Sequence, residues 1–99
     1  MPKVTAELIT AAVSRPKEGV FVNVGGLSEK AVLRVEVLDA LERPLEAFSG
    51  PNAAWVKESG FQVPVVFASK DVLPEKVRLR VVFEGGERSE VRLSAVYVR

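Results

Sequence analysis

Apolar residues recur at every second position in four stretches of the chain. "VFVNV" (20–24) puts Val20, Val22 and Val24 on one side and Phe21 and Asn23 on the other. "VLRVEVL" (32–38) sets Leu33, Val35 and Val37 against Arg34 and Glu36. "VRLRVVFE" (77–84) sets Val77, Leu79, Val81 and Phe83 against Arg78, Arg80 and Glu84, and "VRLSAVYV" (91–98) sets Val91, Leu93, Ala95 and Tyr97 against Arg92 and Ser94. Successive side chains of a strand point to opposite faces, so this period predicts half-buried β-strands. "FQVPVVF" (61–67) predicts a fifth strand, with Phe61, Val63, Val65 and Phe67 inward and Gln62, Pro64 and Val66 outward. Pro64 has no N–H to donate, which confines that strand to a sheet border. "TAELITAAV" (5–13) holds good helix formers, yet its apolar residues also fit a first strand, which is the reading adopted.

Turn-forming pairs punctuate these segments: Gly25-Gly26, Arg43-Pro44, Gly50-Pro51, Ser59-Gly60, Leu73-Pro74 and Gly85-Gly86. Gly85-Gly86 predicts a hairpin joining the last two strands, because glycine tolerates the positive φ of tight turns. "SKDVLPEK" (69–76) allows one short helical turn before Pro74. Short strands at this spacing predict a single antiparallel β-sandwich over residues 1–99, all-β, jelly-roll-like or immunoglobulin-like, with about seven or eight strands.

Composition narrows the chemistry. The 99 residues suffice for one two-layer core, and 47% apolar with 27% charged residues is ordinary for a folded domain. Cysteine and histidine are both absent. That removes thiol nucleophiles, disulfides, thiolate or imidazole metal sites, and every triad relaying a proton through imidazole. A net charge of +1 gives no footprint for nucleic acid or an anionic membrane. The apolar runs are short and "MPKVTAELIT" has no signal-peptide pattern, so the chain reads as soluble, with its compartment open and a secreted parent protein compatible.

Carboxylates are then the remaining acid–base groups. Glu36 and Glu84 alternate with Arg34, Arg78 and Arg80, which reads as a solvated cross-strand charge ladder rather than a glycosidase pair. Asp39 with Glu42 offers hard oxygen ligands, but the chain has two aspartates and no calcium-loop spacing, so Asp39 reads as a turn stabiliser. No catalytic residue, metal site or cofactor is assigned. Among the aromatics, the alternation places Phe61, Phe67, Phe83 and Tyr97 in the core and Phe21 on the opposite face. Trp55, the only tryptophan, sits in "GPNAAWVKESGF" (50–61), where periodicity does not fix its direction. Two roles stay open for it: closing an end of the sandwich, or offering a flat face to a sugar ring. In the second role Phe48, Asn52, Lys57, Glu58 and Gln62 are the accompanying candidates.

"LRVEVLDALERPLEAFSG" (33–50), "ESGFQVPVVF" (58–67), "VRLRVVFEGG" (77–86) and "VRLSAVYV" (91–98), with "FVNV" (21–24), resemble the accessory, often C-terminal, β-sandwich domains of glycoside hydrolases and of sialidase-like or fructosidase-like propeller enzymes. The resemblance extends from about Leu8 onward. It implies a jelly-roll-like or immunoglobulin-like sandwich without catalytic residues, which supports a neighbouring catalytic domain in a parent polypeptide and touches polysaccharide or another glycan. Two positions depart from the family pattern: Leu41-Glu42 stands where Asp-Gly is common, and Phe67 where tryptophan is common. A different class of function fits the same strands: a structural or protein-interaction module, packing on a neighbour, weakly self-associating or acting in adhesion, with Phe21, Val66 and Val82 in an exposed patch.

Overall fold

A computed structural model of the chain describes residues 7–86 and 91–99. These residues form two antiparallel sheets packed as a β-sandwich. The strands are β1 (Glu7–Ile9), β2 (Val13–Ser14), β3 (Val20–Gly25), β4 (Val32–Asp39), β5 (Ala54–Val56), β6 (Gly60–Val65), β7 (Lys76–Glu84) and β8 (Arg92–Val98). One sheet runs β1-β7-β4-β5, with β2 also on β7, and the other runs β6-β3-β8. The expected first strand is present as β1 and β2, two pieces along one edge of β7. Residues 5 and 6 of its predicted span lie outside the described residues. No helical turn forms at 69–76; that stretch is an irregular link into β7.

The wiring separates the two candidate topologies. Only β4 and β5 are consecutive neighbours within one sheet, apart from the two pieces of the edge strand. Every other connection crosses the sandwich, including that from β7 to β8, whereas the last two strands of an immunoglobulin domain share a sheet. The arrangement is jelly-roll-like. Gly85-Gly86 therefore does not make the predicted hairpin. Gly85 has φ +106°, and a Cβ there would sit 2.1 Å from the Lys30 carbonyl oxygen. Glycine is required because the chain leaving β7 passes against the backbone just before β4.

The core lies between the sheets. Val20, Val22 and Val24 of β3 face Leu33, Val35 and Val37 of β4 and Val77, Leu79 and Val81 of β7, all buried. Two bulges break the alternation elsewhere. From the Val22–Val63 pair to the Val24–Gly60 pair, β6 advances three residues while β3 advances two. The surplus turns Phe61 out of the core, where it is 89% exposed, contrary to its expected inward position. Likewise β8 carries Ser94 as an extra residue between Leu93, opposite Val24, and Ala95, opposite Asn23. Beyond it Val96 and Val98 pack on the core, and Tyr97 lies opposite Phe21 on the outer face instead of inside. There Tyr97 Oη is 3.1 Å from Asn23 Nδ2, and the Arg99 guanidinium lies over both rings.

After β4 the chain turns at Asp39, whose Oδ1 accepts the N–H groups of Leu41 (2.8 Å) and Arg43 (2.9 Å) while Oδ2 meets Arg43 Nε at 2.8 Å. Asp39 is the turn stabiliser that its position suggests, and Glu42 takes φ +64° within the same turn. Leu38 then bridges Pro44, but Val35 pairs with Ala54, so ten residues on one side answer three on the other. The surplus forms an excursion with two single 3₁₀ turns, Glu46–Phe48 and Gly50–Asn52. Phe48 drops from it into the core, edge-on to Phe67 with centroids 5.6 Å apart. Both rings help line a cavity of about 200 Å³ between the sheets.

Two outcomes test this account. Gly85→Ala should lose about 1–3 kcal/mol in urea unfolding, while Gly86→Ala, with open space around its Cβ, should stay within about 0.5 kcal/mol. The Asp39 carboxyl is held below the usual carboxylate range, first by the Arg43 N–H, against a smaller opposing effect of burial and with help from the Arg43 side chain and the Leu41 N–H. A depressed folded-state pKa gives stability that is complete above the unfolded value, about 3.9, and lost as pH falls through the folded one. Asp39→Asn should therefore unfold with a shallower acid dependence below about pH 4, measured by denaturant midpoint against pH.

Candidate functional site

The outer face of the β4–β7 pair is a closed surface. Register places Arg34 beside Val82, Glu36 beside Arg80, and Leu38 beside Arg78. Glu36 is only 4% exposed, and Leu38 and Val82 are buried too, so the expected solvated ladder and the exposed Val82 are both corrected. Long arginine stems lying across a sheet can cover apolar neighbours while their heads find partners. The Arg78 guanidinium donates to the carbonyls of Ala40 (3.1 Å) and Thr10 (3.2 Å). Arg80 meets Glu7 at 2.7 Å and Glu36 at 3.5 Å. The other Glu36 oxygen accepts the Gly50 N–H at 2.6 Å, and Ser49 Oγ donates to the Val37 carbonyl at 3.2 Å. Glu36 thus ties the excursion to the sheet.

From that anchor the chain enters β5, where Ala54 and Val56 are buried and Trp55 points the other way. Trp55 is 45% exposed, directly opposite Arg34 on the outer face. The Arg34 Nη2 lies 3.0 Å from Glu84 Oε1, and its buried Nε has no acceptor among the described residues. Lys57 follows two residues after Trp55 and is exposed. The result is an indole on an edge strand, with a guanidinium opposite it that is ion-paired to a carboxylate: an apolar flat surface bordered by strong donors and an acceptor.

The other candidates do not converge on it. Phe48, 5% exposed, belongs to the core and cannot stack on an external ligand, because the excursion carries it under the sheet. Asn52 is exposed, but its Nδ2 donates to the Glu46 carbonyl at 3.0 Å and holds the excursion's shape. Glu58 lies in the three-residue arch, 57–59, that carries the chain between the sheets. Gln62 is exposed in the other sheet, at the β6 bulge with φ +50°, its N–H bonded to Asn23 Oδ1 at 2.6 Å. Trp55 and Gln62 thus belong to different layers of the sandwich.

Three residues outside the candidate set also lie at these surfaces. The β4–β5 register sets Arg34 opposite the indole, and Arg34 reaches back to Glu84 on β7. Phe61 lines a shallow hollow on the opposite outer face with Asn23, Gly60, Arg92 and Ser94. The signals present in the sequence were Ser59-Gly60 next to Phe61 and Pro64 nearby, both compatible with a disrupted strand. Among the described residues no helix is long and apolar enough to cross a membrane. No family model, curated protein or solved structure matches the chain.

Proposed function

We propose that the chain is a non-catalytic accessory domain of a carbohydrate-active enzyme, which holds a glycan against the outer face at Trp55. The observation carrying this reading is the half-exposed indole beside the Arg34–Glu84 pair. An aromatic face packs against the C–H groups of a sugar ring, while the guanidinium and carboxylate supply directional bonds to hydroxyls. The block resemblance to accessory domains supports the same conclusion. The domain acts by proximity, keeping a tethered catalytic domain at high effective concentration near polysaccharide. Stacking and hydrogen bonds to a neutral ligand make the binding weak and tolerant of salt.

A second reading is favoured by a separate observation, the full exposure of Phe61 on the face that also carries Phe21, Pro64 and Tyr97. That face suits packing on a neighbouring domain or on another copy of the chain. Its sign would be concentration-dependent mass in light scattering that Phe61→Ser abolishes.

Titration of soluble and insoluble polysaccharides tests the first reading. A glycan that binds wild type should lose about 1–2 kcal/mol of affinity in Trp55→Ala, with unfolding little changed because the ring lies outside the core. Absence of binding to every glycan tested, or equal binding by Trp55→Ala, would sink it.

A further inference from the structure

At the end of the sandwich where β4 finishes and β7 begins, the inward side chains are Val20, Val37, Val65, Val77 and Leu79. Valines fill less of the inter-sheet space than longer side chains would, and Phe48 and Phe67 meet edge-on without closing it. The cavity of about 200 Å³ lies among these residues. The chain before Glu7 and after Gly86 joins at the other end of the sheets, where Glu7 stands opposite Val82 and β7 finishes at Glu84.

Size and lining define what the cavity suits. A water molecule needs two to four polar partners, which valine, leucine and phenylalanine side chains do not offer, whereas an apolar cavity of about 150 Å³ takes a benzene ring. The mouth is different in character. The irregular link from β6 to β7 crosses it at Ser69, Asp71 and Leu73, with the Asp71 N–H on Ser69 Oγ at 3.1 Å. Asp71 is exposed, so the cavity meets solvent beside its carboxylate. Among the described residues Asp71 is the only charged one lining the cavity, and Glu46 joins it in the adjoining hollow on the far side of Phe48 and Leu73. Neither carboxylate has an ion pair among the described residues. Of the neighbouring cations, Arg15 donates through Nη1 to the Leu73 carbonyl at 2.9 Å, and Lys70 is exposed and lines neither space.

We propose that this cavity is a binding site for a small primary amine with an apolar body about the size of one ring, separate from the Trp55 face. The body lies between the sheets against Phe48, Phe67 and Val65, and the ammonium stays at the mouth beside Asp71. A carboxylic acid of the same shape would set like charges together there. A sugar would bury hydroxyls against valine and leucine without hydrogen bonds.

Titration of the methyl-labelled chain with phenethylamine, and with phenylacetate as its anionic counterpart, tests the site by NMR. Phenethylamine should shift the methyl signals of Val37, Val65 and Leu79, leave the Trp55 indole signal unmoved, and bind about tenfold more tightly than phenylacetate. Asp71→Asn, at an exposed position, should remove most of that preference. Phe67→Trp, which adds volume inside the cavity, should abolish the methyl shifts. No binding of the amine, shifts mapping to the Trp55 or Phe61 surface, equal binding of amine and acid, or undiminished binding by Phe67→Trp would overturn the proposal. The amine–acid comparison uses the unaltered protein, so a Phe67→Trp chain that fails to fold leaves the test decisive.

Discussion

The ladder between β4 and β7 is the constraint from which the rest of the sandwich follows. Eight consecutive pairs, from Val32–Glu84 to Asp39–Val77, run without a shift of register. In such a ladder opposite residues share a face, so Leu33, Val35 and Val37 are brought beside Phe83, Val81 and Leu79 in the core. The same register puts Arg34, Glu36 and Leu38 beside Val82, Arg80 and Arg78 on the outside. A one-residue slip would reverse both faces together, exposing the core and burying the charges without partners. The central strands are therefore sealed on both sides, by the second sheet within and by paired arginines without.

That double closure explains where function has room. Among the described residues the β5 strand has its only ladder with β4, and the excursion leading to it is held at Gly50 by Glu36. A charged pair that looks like surface decoration thus locates the strand carrying the tryptophan. The charged side chains contribute little as partly exposed ion pairs, about 1 kcal/mol or less for Arg34–Glu84 or Arg80–Glu7. Their larger effect comes from covering Leu38 and Val82 and from satisfying the Gly50 N–H.

Strict alternation was a reliable guide where register is unbroken and failed at single inserted residues. In β3, β4 and β7 the inward valines and leucines are those that the pattern names. In β6 and β8 one extra residue apiece turns Phe61 and Tyr97 outward, and no residue type announces either bulge unambiguously. Burial of Glu36 was equally illegible, because it requires Gly50, fourteen residues away, to present its N–H. Gly85-Gly86 misled for another reason. A glycine pair fits a hairpin and a cross-sheet arch equally well, and only the approach of the Lys30 carbonyl distinguishes them. Of the candidate residues, Trp55 lies on β5 with Lys57 just beyond it, whereas Phe48 lies in the core and Gln62 in the other sheet, a separation made by the excursion and the arch.

The separation of Phe48 from Trp55 bears on the choice between plug and platform. A sandwich this small needs an aromatic to fill the end where the excursion crosses, and Phe48 does so against Phe67. The indole is then not required for that packing. Its inward neighbours on β5, Ala54 and Val56, are small and already buried, and reversing the strand would force an indole into a space that alanine-sized and valine-sized groups fill. Trp55 is fixed outward by the parity of a three-residue strand whose register β4 dictates. The indole is thereby held 45% exposed on the outer face, opposite an Arg34 that is ion-paired to Glu84, and the proposed glycan platform rests on that placement.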